Sequence, residues 1–356
     1  MKNKKIIIPI LGLTAHGGNR IIVEVANKLV EAGIDVTFVT PNRDVSMPFI
    51  LDPRIEIKKT GPRVSSKSLA WLFFLILSPF FMIHSKILAN HFLTVLPSWL
   101  ASIFFGAEYV CLVQDIEFRF YKGKFLDIPR RICEWTYRRG RLVAANDYLA
   151  AELKDYTTLL LTLKLGVAND FFNLEISKDK KKFDVVYFLR AEPRKRIDRF
   201  DRVLPFFRQK NLKVLCISQD IQLMQKYQDQ VSTYCPSNDV ELIKAVDQCS
   251  VLLLTSEHEG FSLPPLEAMA RGVPTVMYPC GGPDVYAVHK KNCLYVMDED
   301  VETALDAVET LLTNPKIYED LSKAGMITAS DYHLDNSIKI FADFLVKRFK
   351  WSFILK

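Results

Sequence analysis

Short apolar runs rich in β-branched residues alternate with segments of helical periodicity along most of this chain. The first run covers residues 5–11, a helical pattern follows over 19–32, Gly33 ends it, and a second run covers 36–40. This alternation predicts parallel strands joined by crossover helices, as in doubly wound α/β folds. Three further runs in the first half predict strands at 85–89, 109–113 and 142–145.

The same pattern begins again in the second half, with runs that predict strands at 183–189, 214–217, 251–254 and 275–277. A chain of 356 residues is long for a single core. We therefore expect two Rossmann-like domains, over 1–170 and 171–335, joined by a linker near 165–182. A last helix over 336–356 is expected to pack on the first domain or to touch a membrane.

The active site is expected in the cleft between the domains, because ligands of such sheets bind beyond the carboxyl ends of the strands. In the alternative, the lysine-rich stretch 177–182 is a surface loop inside one domain.

Composition narrows the class of protein. Apolar residues make up 49% of the chain and charged residues 25%, values typical of globular domains. The net charge of +6 suits phosphate-bearing ligands or anionic lipid, and without a nucleic-acid motif no nucleic-acid partner is expected. The seven scattered cysteines form no C-x-x-C pair, which favours free thiols in a reducing compartment. A cytoplasmic protein without a bound metal is expected.

One apolar stretch, residues 69–83, raises the question of a membrane. It is shorter than the roughly 20 residues that span a bilayer, and Pro79 interrupts it. A membrane span, an interfacial surface and a buried helix remain open for it. The basic and aromatic end of the chain, VKRFKWSFILK, fits a membrane surface or a packing helix equally well. A peripheral contact with the cytoplasmic face of the inner membrane is therefore an expectation.

The segment Val251–Met277 carries the strongest chemical pattern in the chain. An apolar strand ends near Thr255, a polar turn follows, and a helix is predicted to begin near Pro264, since proline is favoured in a first helical turn. Unpaired amides and the helix dipole at such a start attract phosphate. Glu259 and Glu267 flank this start and provide acceptors for hydroxyl groups. The pattern favours a site for a sugar diphosphate.

This segment, SEHEGFSLPPLEAMARGVPTV, resembles the donor signature of the retaining GT-B glycosyltransferases of group 1, with their E-x7-E spacing. The resemblance implies two Rossmann-like domains and a nucleotide-diphosphate sugar as donor, with no cofactor. It implies that Glu259 contacts the transferred sugar and that Glu267 binds the ribose. The sugar hydroxyls and phosphate would be held by backbone amides around four residues, Gly260, Phe261, Ser262 and Leu263.

The family's basic cluster has a counterpart in FDVVYFLR followed by PRKR, residues 183–190 and 193–196. The resemblance implies that Arg190 and Lys195 neutralise the diphosphate, which gains charge as the glycosidic bond breaks. Arg196 stands where the family usually has glycine, so a register shifted by one residue remains open. Apart from the resemblance, a solvated basic loop is an equally good interpretation.

In the first domain, AHGGNR resembles the family's glycine-rich loop after strand one, with Gly17 and Gly18 placed to approach a phosphate or an acceptor. A histidine common near the sugar is replaced here by Gln114. The pattern Q-D-x-E-x-x-F that starts at Gln114 resembles a subset that includes bacterial rhamnosyltransferases. Asp115 is expected to accept a hydrogen bond from the acceptor hydroxyl or to orient the sugar, and the alternative is that it caps a helix. His91 is a further candidate, although a lone histidine is more often structural.

The resemblance implies front-face transfer with retention of anomeric configuration, without a metal, to a glycan or lipid-linked acceptor. The product expected is a bacterial surface polysaccharide such as a capsule or O-antigen. Two alternatives remain: a sugar-nucleotide epimerase of the same fold, and a catalytically silent subunit that binds a sugar nucleotide.

Overall fold

The computed structural model describes residues 4–12, 17–43, 50–120, 127–176, 181–297 and 301–351. By internal contacts the chain divides into two compact units, the first of residues 1–164 and 336–356 and the second of residues 165–335. Each unit is built around its own parallel sheet.

The first unit has a sheet of strand order β3-β2-β1-β4-β5-β6-β7, and every pairing in it is parallel. The sequence order reverses between β1 and β4, as expected for a doubly wound fold. The strands are β1 (Lys5–Pro9), β2 (Asp35–Pro41), β3 (Glu56–Thr60), β4 (Lys86–Ala89), β5 (Glu108–Val113), β6 (Leu142–Ala144) and β7 (Leu161–Thr162). The helices that connect them are α1 (Gly17–Glu31), α2 (Lys67–Phe81), α3 (Phe92–Phe104), α4 (Asp127–Arg139) and α5 (Asp147–Leu153).

The second unit repeats this plan with the order β10-β9-β8-β11-β12-β13, again parallel throughout. Its strands are β8 (Phe183–Phe188), β9 (Val214–Ile217), β10 (Ser232–Tyr234), β11 (Cys249–Leu254), β12 (Thr275–Met277) and β13 (Leu294–Tyr295). Its helices are α6 (Asp170–Asn173), α7 (Ile197–Gln209), α8 (Ile221–Tyr227), α9 (Asp239–Asp247), α10 (Leu263–Ala270), α11 (Val301–Thr313) and α12 (Pro315–Ser330). The last helix, α13, covers Leu334–Arg348.

The prediction of two Rossmann-like α/β domains is confirmed, and each strand expected from an apolar run is present. These strands could be predicted because central strands of parallel sheets are buried on both faces and are therefore almost wholly apolar. Four sheet-edge strands, β3, β7, β10 and β13, were not predicted from the sequence, and β7 and β13 have only two residues each. The strand β3 reads EIKKT and is largely exposed, and β10 reads STY, so neither presents an apolar run.

The division between the units falls after Lys164, whereas the sequence analysis put it after residue 170. Long-range contacts explain the difference. The guanidinium of Arg271 in the second unit donates to the carbonyl oxygens of Phe171, Leu174 and Glu175 at 2.7–3.1 Å. The amide of Val167 donates to the Tyr332 carbonyl at 2.8 Å. These hydrogen bonds hold residues 167–175 to the second unit. Part of the expected linker, 177–180, lies outside the described residues.

The apolar stretch 69–83 lies mostly in α2, which is apolar on two faces. Ala70, Phe74 and Ser78 are buried, while Leu72 and Ile76 on the opposite face are 52% and 57% exposed. None of the helices within the described residues has the length and hydrophobicity to cross a bilayer.

Candidate functional site

The turn that follows β11 is fixed by a neighbouring backbone segment. Glu259 donates its amide to the Cys280 carbonyl at 2.8 Å, and its carbonyl accepts from the Gly282 amide at 2.9 Å. The two segments approach so closely that a Cβ on Gly282 would lie 2.4 Å from the Phe261 nitrogen. Glycine is needed at 282 for this approach. The backbone of Glu259 is therefore held in place before any ligand arrives.

The Glu259 carboxylate is only 5% exposed and is surrounded by donors. It accepts from Lys195 Nζ and Ser256 Oγ, each at 2.6 Å, and from an Arg194 guanidinium nitrogen at 3.4 Å. Burial alone would raise the pKa of Glu259, but the charges of Lys195 and Arg194, with these hydrogen bonds, hold the pKa below its usual value. Glu259 is thus a buried carboxylate that stays ionised at neutral pH.

The basic loop that supplies these cations is a short 3₁₀ turn, Pro193–Lys195, docked on the end of β11. The Glu257 amide donates to the Arg194 carbonyl and the Thr255 hydroxyl to the Lys195 carbonyl, both at 2.8 Å. Below it, the buried Arg199 donates to the Thr255 carbonyl at 2.7 Å, and its guanidinium lies 4.2 Å from the centre of a tyrosine ring. The sequence therefore brings Lys195 to Glu259 through backbone contacts as well as through charge.

Arg196, which stands where the family usually has glycine, has a backbone conformation that favours glycine. Arg196 has φ 50° and ψ 51°, the left-handed conformation that glycine adopts without strain. The glycine usual in the family therefore suits this position, which supports the register that equates Lys195 with the family's lysine. The side chain of Arg196 turns to Asp198, with an Nε–Oδ1 distance of 2.9 Å.

Arg196→Gly is expected to be more stable than Arg196→Ala by about 1 kcal/mol, because only glycine avoids the left-handed strain. Both variants lose the surface ion pair with Asp198, so their difference isolates the backbone term. Urea unfolding of the two variants measures it. Equal midpoints would show that the conformation at 196 carries no strain.

The first turn of α10 offers fewer backbone amides to a phosphate than the sequence predicts. Pro264 and Pro265 occupy its first turn and have no N–H, so the amides available there are those of Phe261, Ser262 and Leu263. Phe261 is buried, and its ring packs edge-on against Tyr286 at 5.5 Å, so its side chain serves the core.

Ser262, the residue before α10, has an unusual conformation and an unsatisfied hydroxyl. Its φ is 63°, and its buried Oγ has no hydrogen-bond partner among the described residues. Positive φ at a non-glycine residue is costly and concentrates at functional sites. A buried hydroxyl without a partner provides a donor and an acceptor for a ligand.

A pocket in the second unit brings several predicted residues together. Arg190, Lys195, Glu259 and Ser262 line it, at the carboxyl ends of β8 and β11. Glu267 does not line it; this residue is 6% exposed and lies in α10. Two cations, one ionised carboxylate and one hydroxyl therefore face the same space.

In the first unit, the glycine pair predicted to lie in a loop is in fact helical. Gly17 and Gly18 form the first turn of α1, and the preceding residues 13–16 lie outside the described residues. The Gln114 side chain donates to the Gly18 carbonyl at 3.2 Å, and a Cβ on Gly18 would lie 3.3 Å from Gln114 Oε1. Gln114 therefore ties the end of β5 to the start of α1.

Asp115 and His91 lie near a second carboxyl group, that of Glu117, at the carboxyl ends of β4 and β5. Asp115 Oδ1 accepts from the Ile116 amide at 2.8 Å. His91 caps α3, and its Nδ1 accepts from the Leu93 amide at 3.2 Å. Burial lowers the pKa of His91 to about 4. In this arrangement His91 is a neutral residue that caps α3.

Sequence reasoning passed over Arg194, Ser256 and Arg199, all of which hold Glu259 or the loop that supports it. Arg194 adjoins Lys195 in the sequence, and Ser256 lies three residues before Glu259. Both were visible as polar neighbours of a predicted site residue. Arg199 lies inside a helical pattern, and only the fold shows that it is buried.

Comparison with known proteins shows what this arrangement resembles. Residues 169–327 match the model described as Glycosyl transferases group 1. An uncharacterized glycosyltransferase of Haemophilus influenzae is 29% identical over 132 residues, which are 37% of this chain and 35% of that relative. The match thus spans about a third of the relative's length.

Solved structures resemble the whole chain. Sucrose-phosphate synthase of Thermosynechococcus elongatus has a TM-score of 0.81 and 17% identity, over 98% of this chain and 100% of that chain. HepE of Anabaena, solved with UDP and glucose, has a TM-score of 0.76 and 14% identity over 96% and 99%. WaaG, a glycosyltransferase of lipopolysaccharide biosynthesis, has a TM-score of 0.73 and 15% identity, over 96% of this chain and 99% of that chain. At these identities the likeness is one of fold, and the fold is GT-B.

Proposed function

We propose that this chain is a retaining glycosyltransferase that moves a sugar from a nucleotide-diphosphate sugar to a glycan or lipid-linked acceptor. The observation that carries the proposal is the pocket lined by Arg190, Lys195, Glu259 and Ser262 in the region that matches the group 1 model. Its cations suit a diphosphate, and its ionised carboxylate suits sugar hydroxyls.

The chemistry proposed for this pocket follows from charge. As the bond from sugar to diphosphate breaks, negative charge grows on the leaving phosphate, and fixed cations stabilise it. Arg190 and Lys195 supply that charge, so no metal ion is needed. The leaving phosphate accepts the proton of the acceptor hydroxyl, which attacks on the same face, and the anomeric configuration is retained.

In this proposal Glu259 positions the transferred sugar. Lys195, Arg194 and Ser256 keep its carboxylate ionised and immobile, so that it accepts hydrogen bonds from the transferred sugar in one geometry. The Ser262 hydroxyl and the amides at 261–263 are proposed to bind sugar and phosphate. Glu267, further along α10, is proposed to bind the ribose.

A binding screen tests the donor. HepE was solved with UDP-glucose, so UDP and UDP-glucose come first, followed by other nucleotide sugars including a rhamnose nucleotide. We expect a thermal shift with at least one nucleoside diphosphate, abolished in Lys195→Met and retained in Lys210→Met. Lys210 is a suitable control because its amine pairs with Glu309 on the surface. Binding that survives Lys195→Met would contradict the proposed clamp.

We further propose that the acceptor is reached at an anionic membrane surface. On α2 the exposed face carries Leu69, Leu72, Ile76 and Phe80, which are 41–58% exposed and spaced as one helical stripe. A soluble helix ordinarily presents polar residues on this face. Phe80 packs 5.4 Å from Phe105, which joins the stripe to the exposed apolar end of α3.

Charge selects the partner of this surface. Arg63 and Lys67 are exposed at the start of α2, Lys347 and Lys350 are exposed near the end of the chain, and the net charge is +6. An apolar stripe with basic neighbours matches an anionic bilayer. Because α2 follows β3, it begins at the carboxyl edge of the sheet, the edge that carries Gln114 and Asp115. Peripheral binding at the cytoplasmic face would bring a lipid-linked acceptor to that edge.

Ile76→Glu is expected to weaken binding to phosphatidylglycerol-containing vesicles about tenfold or more, since it removes one apolar side chain that would insert into the bilayer and adds a repelled charge. Ile327→Glu on α12 makes the same chemical change at an isoleucine that is 70% exposed, and it should bind as wild type does. Co-sedimentation measures both. Equal loss in the two variants, or a stripe that instead mediates dimers in gel filtration, would overturn the membrane assignment.

A further inference from the structure

The Glu117 carboxyl joins two loops at the carboxyl edge of the first sheet. It is 8% exposed, and its Oε2 accepts from the Phe92 amide at 2.9 Å, the first amide of α3. The same oxygen lies 3.4 Å from Tyr137 Oη and 4.0 Å from Cys133 Sγ. The other oxygen lies 3.6 Å from His91 Nε2. One side chain thus connects the loop after β4, the loop after β5 and helix α4.

Tyr137 completes the connection to the loop after β5. Its one hydroxyl proton lies between the Asp115 carbonyl at 3.3 Å and Glu117 Oε2 at 3.4 Å, and its oxygen accepts from the Glu117 amide at 3.0 Å. Asp115 follows Gln114, whose side chain reaches the start of α1. The position of the Gln114–Asp115 pair therefore depends on Tyr137 and Glu117.

The histidine beside Glu117 is not a cation. Since Nδ1 of His91 accepts from the Leu93 amide, the proton of the neutral ring lies on Nε2, the atom that faces Glu117. Protonating Nδ1 would break the cap of α3. His91 therefore supplies no positive charge that would stabilise a Glu117 carboxylate.

The other titratable groups that face Glu117 are Asp115, Tyr137, Cys133 and Cys111, and among them none is cationic at neutral pH. Burial and the nearby Asp115 charge raise the pKa of Glu117 to about 8, although the hydrogen bonds from Phe92 and Tyr137 oppose the rise. The Glu117 carboxyl therefore titrates nearer to neutral pH than an ordinary glutamate does.

We propose that Glu117 is a positioning residue of the acceptor side, whose buried carboxyl holds the loop bearing Gln114 and Asp115 against the start of α3. The assignment of this edge to the acceptor rests on the proposed function. Loss of the proton places a buried carboxylate beside Asp115 and loosens the loop. Sugar transfer therefore falls as the pH rises through the titration of Glu117.

The titration of Glu117 also makes the free energy of unfolding depend on pH. The pKa of Glu117 in the folded protein, about 8, lies above its ordinary value of 4.5. Its contribution to stability is therefore complete below pH 4.5 and is lost as the pH rises through about 8. Glutamine imitates the neutral acid, keeps an oxygen for the Phe92 amide and does not titrate.

The first test compares thermal unfolding of wild type, Glu117→Gln and Glu31→Gln between pH 5 and pH 9. The difference between Glu117→Gln and wild type should shift in favour of the variant as the pH rises. Glu31 is an exposed residue of α1, so its variant should keep a constant difference from wild type. A difference for Glu117→Gln that does not change with pH would overturn the protonated form.

The second test separates positioning from folding. With the donor and acceptor pair found by screening, Glu117→Ala should lose about 10- to 100-fold in kcat/KM for the acceptor. It should bind the nucleoside diphosphate of that donor as wild type does, and Glu117→Gln should restore transfer and remove the alkaline decline. Transfer by Glu117→Ala at the wild-type rate, or an alkaline decline that persists in Glu117→Gln, would contradict the proposal. If wild type neither binds a nucleoside diphosphate nor transfers a sugar, the proposed function fails, while the unfolding test still decides the protonation of Glu117.

Discussion

Lys195→Met is expected to lower the rate of sugar transfer about 100- to 1,000-fold, the scale of removing one fixed charge from a developing anion. The lysine also stabilises Glu259, its 2.6 Å partner, as a carboxylate. In Lys195→Met only Arg194 and the Ser256 hydrogen bond still oppose the effect of burial, so the pKa of Glu259 rises relative to wild type. The residual activity should therefore increase with pH across the acidic range more steeply than in wild type. The measurement is kcat against pH for both proteins.

Glu259→Gln gives the second side of a double-mutant cycle. The two side chains share one hydrogen bond, so their effects should not be additive, and the double variant should lose less than the product of the single losses. Circular dichroism should show that both single variants remain folded. Full activity in either single variant, or strictly multiplicative losses, would show that the pair does not act as a unit.

Arg271→Met is expected to lower the free energy of unfolding by about 3–5 kcal/mol, the usual cost of breaking a buried ion pair from one side. The Arg271 side chain is 1% exposed, and its guanidinium binds both oxygens of Asp247 at 2.7–2.8 Å. It also satisfies the three carbonyls at 171, 174 and 175 that fasten the start of the second unit. Urea unfolding measures the loss.

Lys323→Met provides the contrast, because Lys323 forms an exposed ion pair with Glu319 and should cost less than about 1 kcal/mol. Asp247→Leu combined with Arg271→Met removes both buried charges but leaves three carbonyls without their donor. The double variant should therefore recover only part of the stability. An Arg271→Met protein as stable as Lys323→Met would refute the structural role of this arginine.

The fold was predictable to the extent that it is written in local patterns. The strands β8, β9, β11 and β12 are short apolar runs because helices cover both faces of their sheet. The edge strands β3 and β10 carry polar residues and could not be recognised in this way. The division after Lys164 depends on Arg271, which lies about a hundred residues further along the chain, so no local composition marks it.

The candidate site shows the same limit. Glu259 and Lys195 were predicted from a motif, and the structure places them in contact. Ser256 and Arg194 complete the surroundings of that carboxylate, yet their roles depend on how two loops meet. Glu117 was part of a recognised pattern, but its burial and its contact with the start of α3 are properties of the fold alone.

The most direct test is an NMR assay of the chain with nucleotide sugars and with glycan or lipid-linked acceptors. The nucleoside diphosphate should appear in step with a new glycosidic bond that has the anomeric configuration of the donor. Isomerisation of the donor without an acceptor would indicate an epimerase, and binding without turnover would indicate a silent subunit. Either result, or an inverted configuration in the product, would contradict retaining sugar transfer at the pocket of Glu259 and Lys195.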